Sequence, residues 1–182
     1  MHRLALVLLL LVAGCPKPAP VTPVHFAREE VALDVRPGTL EVSATYHFTC
    51  ESKQPLGAVM SYPFPLDSLN PYPDSVVIRG YKFERTDSAV RFTMHFRPGR
   101  EDSFFAWYRQ PLKGRSARYI VTSTRKWQRA IDTARFRVTV PASFGDVRLS
   151  FTADSVARSE SATSYFFTRK AFFPGRDVIV EW

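Results

Sequence analysis

Along most of the chain, apolar and polar residues take turns one for one. Leu40, Val42, Ala44, Tyr46, Phe48 and Cys50 alternate with Glu41, Ser43, Thr45, His47 and Thr49. A period of two puts every other side chain on one face, which predicts a half-buried strand. Val31/Leu33/Val35, Val90/Phe92/Met94/Phe96, Phe136/Val138/Val140 and Val147/Leu149/Phe151 repeat the pattern. Segments 56–62, 75–83, 102–110, 117–123, 164–172 and 177–182 read as strands with looser alternation. Phe104-Phe105-Ala106-Trp107-Tyr108 is apolar on both phases, so a central strand covered on both sides is expected there. Pro37-Gly38, Pro98-Gly99, Lys113-Gly114 and Pro174-Gly175 mark turns. No stretch carries a 3.6-residue apolar stripe, although 125–134 has room for one helical turn. About ten strands joined mostly by short turns predict an all-β fold, an antiparallel β-sandwich, with a closed β-barrel as the alternative.

The residues before Glu29 follow another logic. After His2 and Arg3 come nine apolar residues, Leu4 to Val12, and then Ala13-Gly14-Cys15. A basic head with a short apolar run has the layout of a secretory signal. The run is about half the ~20 residues that a spanning helix needs, so residues 1–14 are expected to be a cleaved signal peptide. Val12-Ala13-Gly14-Cys15 resembles the lipobox of bacterial lipoproteins. That resemblance implies cleavage before Cys15, a diacylglycerol on its thiol, and a lipid anchor in a bacterial cell envelope. Several acyl chains anchor durably where one does not. In the family's sorting rule, Asp after the cysteine retains a lipoprotein in the inner membrane. Pro16 stands there instead, which favours the outer membrane, facing the periplasm, in a Gram-negative cell. Pro16, Pro18, Pro20 and Pro23 favour an extended spacer, so residues 15–28 are expected to tether a domain over 29–182.

Composition narrows the classes. The chain has 182 residues, 45% hydrophobic and 23% charged, which suits one folded domain plus a tail and is too apolar for a disordered chain. Two cysteines exclude a disulfide-dense scaffold and a four-cysteine zinc site. Cys50 closes the apolar phase of its strand, so a buried, inert thiol is expected.

The formal charge of +8 is uneven. Between Arg91 and Arg137 stand twelve Lys or Arg against Glu101, Asp102 and Asp132, whereas the rest of the mature chain carries a slight acidic excess. Within that segment Arg125, Lys126, Trp127, Arg129, Arg135 and Arg137 are the candidate binding residues. A basic face would suit an acidic envelope protein or an anionic glycan or lipid such as lipopolysaccharide. Nucleic acid is not an expected partner of an exported domain. Trp127 stands out because its neighbours are polar. Tyr62, Phe64 and Tyr72, set among Pro63, Pro65, Pro71 and Pro73, are expected to fold back and cap the sandwich.

Catalytic signatures are missing. No HxH, HExxH, CxxC, GxSxG, GxxxxGK[ST] or GxGxxG occurs, and the aspartates are scattered. No metal, cofactor or catalytic residue is therefore expected, and a hydrolase on the same scaffold is the alternative. His25 falls in the expected tether, while His47 and His95 lie on polar strand phases.

Residues 40–66 join the strand ending Tyr46-His47-Phe48 to Ser61-Tyr62-Pro63-Phe64-Pro65-Leu66. This resembles the start of the vault/inter-alpha-trypsin type of β domain, where a strand ends in an aromatic-Pro-Leu-Pro run. It is also similar to a group of exported bacterial β domains of unknown function. In those, Tyr108-Arg109-Gln110-Pro111, Tyr119 to Trp127 and Phe173-Pro174 to Trp182 have counterparts. The resemblance implies a β-sandwich interaction module and assigns no catalytic residue. The sequence thus predicts a lipid-anchored envelope protein with a non-catalytic binding or scaffolding domain.

Overall fold

The structure, a computed structural model, describes residues 22–182. The signal segment, Cys15 and most of the proline-rich stretch lie outside the described residues. The first two strands, β1 (Val24–Arg36) and β2 (Thr39–Cys50), form a long hairpin. Pro37-Gly38 turns it, and Gly38 has a φ of 73°, which a side chain would make costly. Then come β3 (Leu56–Pro63), β4 (Ser75–Ile78), β5 (Glu84–Arg85), β6 (Ala89–Phe96), β7 (Glu101–Pro111) and β8 (Ser116–Tyr119). A 3-10 turn over Thr122–Trp127 leads to β9 (Ile131–Pro141), followed by β10 (Arg148–Leu149), β11 (Ser155–Arg158), β12 (Ala162–Phe172) and β13 (Val178–Glu181).

The fold is an all-β sandwich. One layer is a seven-stranded sheet in the order β11-β12-β9-β1-β2-β7-β4, and two three-stranded sheets, β3-β6-β5 and β10-β13-β8, cover it. No sheet closes into a barrel. Phe96 and Phe92 of β6 meet Phe48 of β2 and Phe104 of β7 at 5.7 and 5.0 Å between ring centres. The β3-β6-β5 sheet therefore lies over the β2–β7 half. On the other half, Phe151 stacks 5.8 Å from Phe167 of β12, and at the boundary between the halves Tyr119 of β8 reaches Tyr46 of β2. Cys50 is a buried free thiol, and Tyr62 and Phe64 are buried too.

Several expectations need correction. The sheet begins at Val24, not at 29, because Val24 and Phe26 are buried and the Pro23 carbonyl accepts the Glu51 N–H at 2.8 Å. His25 is consequently a strand residue, 3.0 Å from Asp132. Among the described pairings, β1 and β9 run parallel. They are joined through the intervening sheets and no hairpin dictates their direction. The segment Phe104–Tyr108 is covered on one face only: Phe104, Ala106 and Tyr108 are buried, while Phe105 and Trp107 are half-buried on the outer face. There the Arg79 guanidinium sits 4.3 Å from the centre of the Phe105 ring. Segment 75–83 is strand only to Ile78, and 147–151 only at Arg148–Leu149. The helical turn sits at 122–127, earlier than expected, and β11 is an exposed edge strand that the alternation did not mark.

One irregularity in β1 matters most. The pairing with β2 slips between Phe26 and Arg28, with Ala27 as the extra residue of a bulge. Before it, Val24 and Phe26 face the core; after it, Glu29, Val31, Leu33 and Val35 do. The bulge thereby turns a glutamate inward, directly opposite Tyr46.

Candidate functional site

A cavity of about 390 Å³ opens onto the inner face of the large sheet, between β3 and the segment from β8 through the 3-10 turn. Its floor is Phe26 and Glu29 of β1, Tyr46 and Phe48 of β2, and Phe104 of β7. Ala58 to Pro63 of β3 form one wall; Tyr119, Ile120, Ser123, Thr124, Lys126 and Trp127 form the other. Val59, 70% exposed, and the exposed Lys126 mark where it meets solvent. The aromatic floor is packed in advance. Phe26 stacks on Phe48 at 4.8 Å and Tyr46 on Phe104 at 4.7 Å, while Trp127 lies 5.4 Å from Phe48. Each such pair contributes about 0.5–1.5 kcal/mol beyond area burial.

Glu29 is the anomaly. It is 1% exposed, and its Oε1 is buried with no hydrogen-bond partner. Burial in these apolar surroundings pushes its carboxyl from the ordinary 4.5 up to about 8. At neutral pH the empty site therefore holds mostly the neutral acid.

Three phenols gather beside it. The Tyr46 hydroxyl donates to the Tyr62 oxygen at 3.0 Å and is 2.5 Å from that of Tyr119. With Tyr46 donating to Tyr62, Tyr119 donates to Tyr46, and the Tyr62 proton is left over. Burial, with the charges of Tyr62 and Glu29 behind it, pushes the Tyr119 phenol well up; burial likewise leads the shift at Tyr46 and Tyr62. All three stay protonated donors across the ordinary pH range.

The wall carrying Trp127 is pinned from behind by Asp177. Its Oδ2 accepts both the Nε and Nη2 of Arg118, at 2.9 and 2.6 Å. Its Oδ1 accepts the Thr122 hydroxyl at 2.7 Å and the N–H groups of Thr122 and Val121 at 3.1 and 3.2 Å. Burial would raise this carboxyl, but Thr122 and Arg118 together hold it below its ordinary value. These bonds set the corner at which β8 passes into the 3-10 turn.

The residues singled out in the sequence fall in two places. Lys126 and Trp127 line the cavity. Arg125 lies beside them with its guanidinium 5.1 Å from the Phe173 ring centre, and Arg129 pairs with Glu51 at 2.9 Å. Arg135 and Arg137 point out of the opposite face of the large sheet, toward Glu30 at 3.0 Å and Asp34 at 3.9 Å. Cys15 lies outside the described residues. Glu29, Tyr46, Tyr62 and Tyr119 were missed as site residues. The signal for Glu29 was a carboxylate in step with Val31, Leu33 and Val35. Among the described residues no three His, Cys, Asp or Glu gather as metal ligands do, and no helix is long and apolar enough to cross a membrane.

Comparison with known proteins locates the fold. A family model described as a domain of unknown function (DUF4424) matches residues 105–180. That span takes in β8, the 3-10 turn and β13, which make one wall of the cavity and its brace. No curated protein matches the sequence. Among solved structures, a candidate nutrient-binding protein from Legionella pneumophila superposes with a TM-score of 0.64 at 12% identity, over 88% of this chain and 68% of that one. An M1 zinc metallopeptidase from Deinococcus radiodurans gives 0.56 at 16% identity, over 87% of this chain. This chain spans only 42% of that peptidase's length. At such identities the likeness is one of fold.

Proposed function

We propose that this is a non-catalytic binding module of the bacterial cell envelope, held to the membrane by a lipid on Cys15, whose cavity takes a small organic ligand. The observation that carries the binding reading is Glu29, a buried carboxyl without a partner at the floor of an aromatic cavity. Such a group costs stability, and no ion pair or hydrogen bond among the described residues offsets it. The cavity has the size and lining of a small-molecule site, apolar with a few convergent polar groups. The nutrient-binding description of the Legionella protein points the same way. Recognition is favoured over hydrolysis because the cavity offers one carboxyl, with no histidine or cysteine beside it. The envelope setting rests on Val12-Ala13-Gly14-Cys15.

The binding reading is tested by thermal shift of the purified mature chain against amino acids, short peptides, sugars and organic acids. At least one is expected to stabilise it, by about 2.7 kcal/mol when present at a hundredfold its Kd. The shift is expected to vanish in Trp127→Ala, which removes one wall. No shift with any class overturns the reading. The anchor is tested separately by palmitate labelling in cells, expected to be lost in Cys15→Ser; labelling that persists in that variant overturns it.

A further inference from the structure

We infer that the cavity is built for a small zwitterion, a free amino acid with an apolar or aromatic side chain, whose ammonium pairs with Glu29 at the floor and whose carboxylate meets Lys126 at the mouth. This rests on the reading of the cavity as a small-ligand site and goes beyond it by naming the ligand's chemistry.

Three features converge. First, the floor presents an acceptor without a donor: Glu29 Oε1 is buried and unpartnered. A ligand supplying N–H groups completes it and favours the carboxylate form, whereas an anion set there would find no opposite charge. Second, Glu29 shares the cavity lining with the rings of Phe26, Tyr46, Phe48, Phe104 and Trp127. Aromatic faces attract an ammonium group and provide apolar contact for a side chain. Third, Lys126, the one cationic residue lining the cavity among the described residues, is exposed where Glu29 is buried. One acid inside and one base outside match a ligand with the opposite pair of charges.

The proton balance follows. The ligand enters with its amine already protonated. Glu29, a neutral acid in the empty site, gives its proton to solvent and stays as carboxylate against the ammonium. Binding therefore releases close to one proton near neutral pH, and affinity rises with pH. The titratable groups facing Glu29 are Tyr46 from β2, Tyr62 from β3, Tyr119 from β8 and Lys126 from the 3-10 turn. From β9, Ala134 lies opposite. On β1 itself, Arg28 and Glu30 are on the outer side, where Arg28 pairs with Glu101 at 3.4 Å and Glu30 with Arg135 at 3.0 Å. The tyrosines, raised by burial, stay protonated between pH 6 and 8. Glu29 is then the group that titrates.

The test is calorimetric titration of the mature chain with the standard L-amino acids, in buffers of different ionisation enthalpy. Phenethylamine and hydrocinnamate serve as the decarboxylated and deaminated counterparts of L-phenylalanine. At least one apolar or aromatic amino acid is expected to bind, roughly tenfold or more tighter at pH 8 than at pH 6, with proton release. Phenethylamine is expected to bind more weakly than L-phenylalanine, and hydrocinnamate not measurably. Glu29→Gln, checked for folding by circular dichroism, is expected to lose roughly tenfold or more in affinity, together with the proton release. Lys126→Ala is expected to weaken the amino acid and leave phenethylamine unchanged. Hydrocinnamate binding as tightly as L-phenylalanine overturns the inference, and so does affinity unchanged in Glu29→Gln. If sugars or organic acids bind in a Trp127-dependent way and no amino acid does, this inference falls while the cavity reading stands. If nothing binds, both fall.

Discussion

At the scale of single residues, two buried carboxyls act with opposite signs. Glu29 is harder to ionise in the fold than in the unfolded chain, with about 8 against 4.5. Its cost is absent below pH 4.5, grows as the unfolded chain ionises, and stops growing above about pH 8. A gap of that size corresponds to about 5 kcal/mol at most. Glu29→Gln keeps the shape and removes the charge. Urea denaturation is expected to find the variant unchanged at pH 4 and about 2–5 kcal/mol more stable than wild type at pH 8. Parallel pH profiles for the two proteins would contradict an unpaired buried acid. A substitution that stabilises the fold while weakening binding is the mark of a residue kept for function. Asp177 behaves the other way. Its carboxyl is held below the ordinary 3.8, so its contribution is present above that pH and lost as pH falls through the lower folded value. Asp177→Ala strips partners from Arg118, Thr122 and Val121 at once. A loss of about 3–5 kcal/mol at pH 7 is expected, measurable by the same denaturation.

At the scale of elements, the strands were legible because a two-residue period survives wherever one face is buried and the other wet. That is why Leu40 to Cys50 reads without error while the short, exposed β11 does not. The site was legible only where it broke the local polarity: Trp127 among Arg125, Lys126 and Arg129 drew attention, and it does line the cavity. Glu29 escaped because β1 changes phase at its bulge. Counted forward from Val24, the inward residue would be Arg28; counted back from Val31, it is Glu29. Only the pairing with β2 decides between them, and that contact is non-local. The tyrosine cluster was hidden for the same reason, since Tyr46, Tyr62 and Tyr119 come from three strands in three sheets. The bulge also makes the start of β1 part of the domain. Phe26 is buried against Phe48, Tyr46 and Trp127. Phe26→Ala is therefore expected to cost about 3–5 kcal/mol in denaturant unfolding. If residues 24–28 belonged to a tether, that substitution would leave the unfolding midpoint where it was.

At the scale of the whole molecule, the uneven charge of the sequence turns out to be half of a network. Arg109, Arg118, Arg129, Arg135 and Arg137 pair with Asp74, Asp177, Glu51, Glu30 and Asp34, all outside the basic segment, and Arg97 pairs with Asp102 inside it. Six of the twelve basic residues are thus compensated by folding. Arg91, Arg100, Lys113, Arg115, Arg125 and Lys126 make no ion pair among the described residues. They are spread over β6, two connections and the 3-10 turn, no more than two to each. A pair of basic residues near an anionic lipid surface contributes about 2 kcal/mol. Even a Kd of about 1 mM requires roughly 4 kcal/mol. Electrostatics on this surface are therefore too weak to hold the domain on a membrane at physiological salt. On the proposed reading attachment comes instead from a lipid on Cys15, and residues 16–23 would give a spacer of about 25–29 Å at full extension. Fractionation of cells expressing Cys15→Ser, washed at 0.15 M salt, separates the two sources of binding. The folded variant is expected to leave the membrane if its signal is cut, or to stay only through an uncleaved signal, which a shift in mass reveals. Cleaved, unlipidated protein that remained on the membrane would instead require a basic surface stronger than these six scattered residues provide.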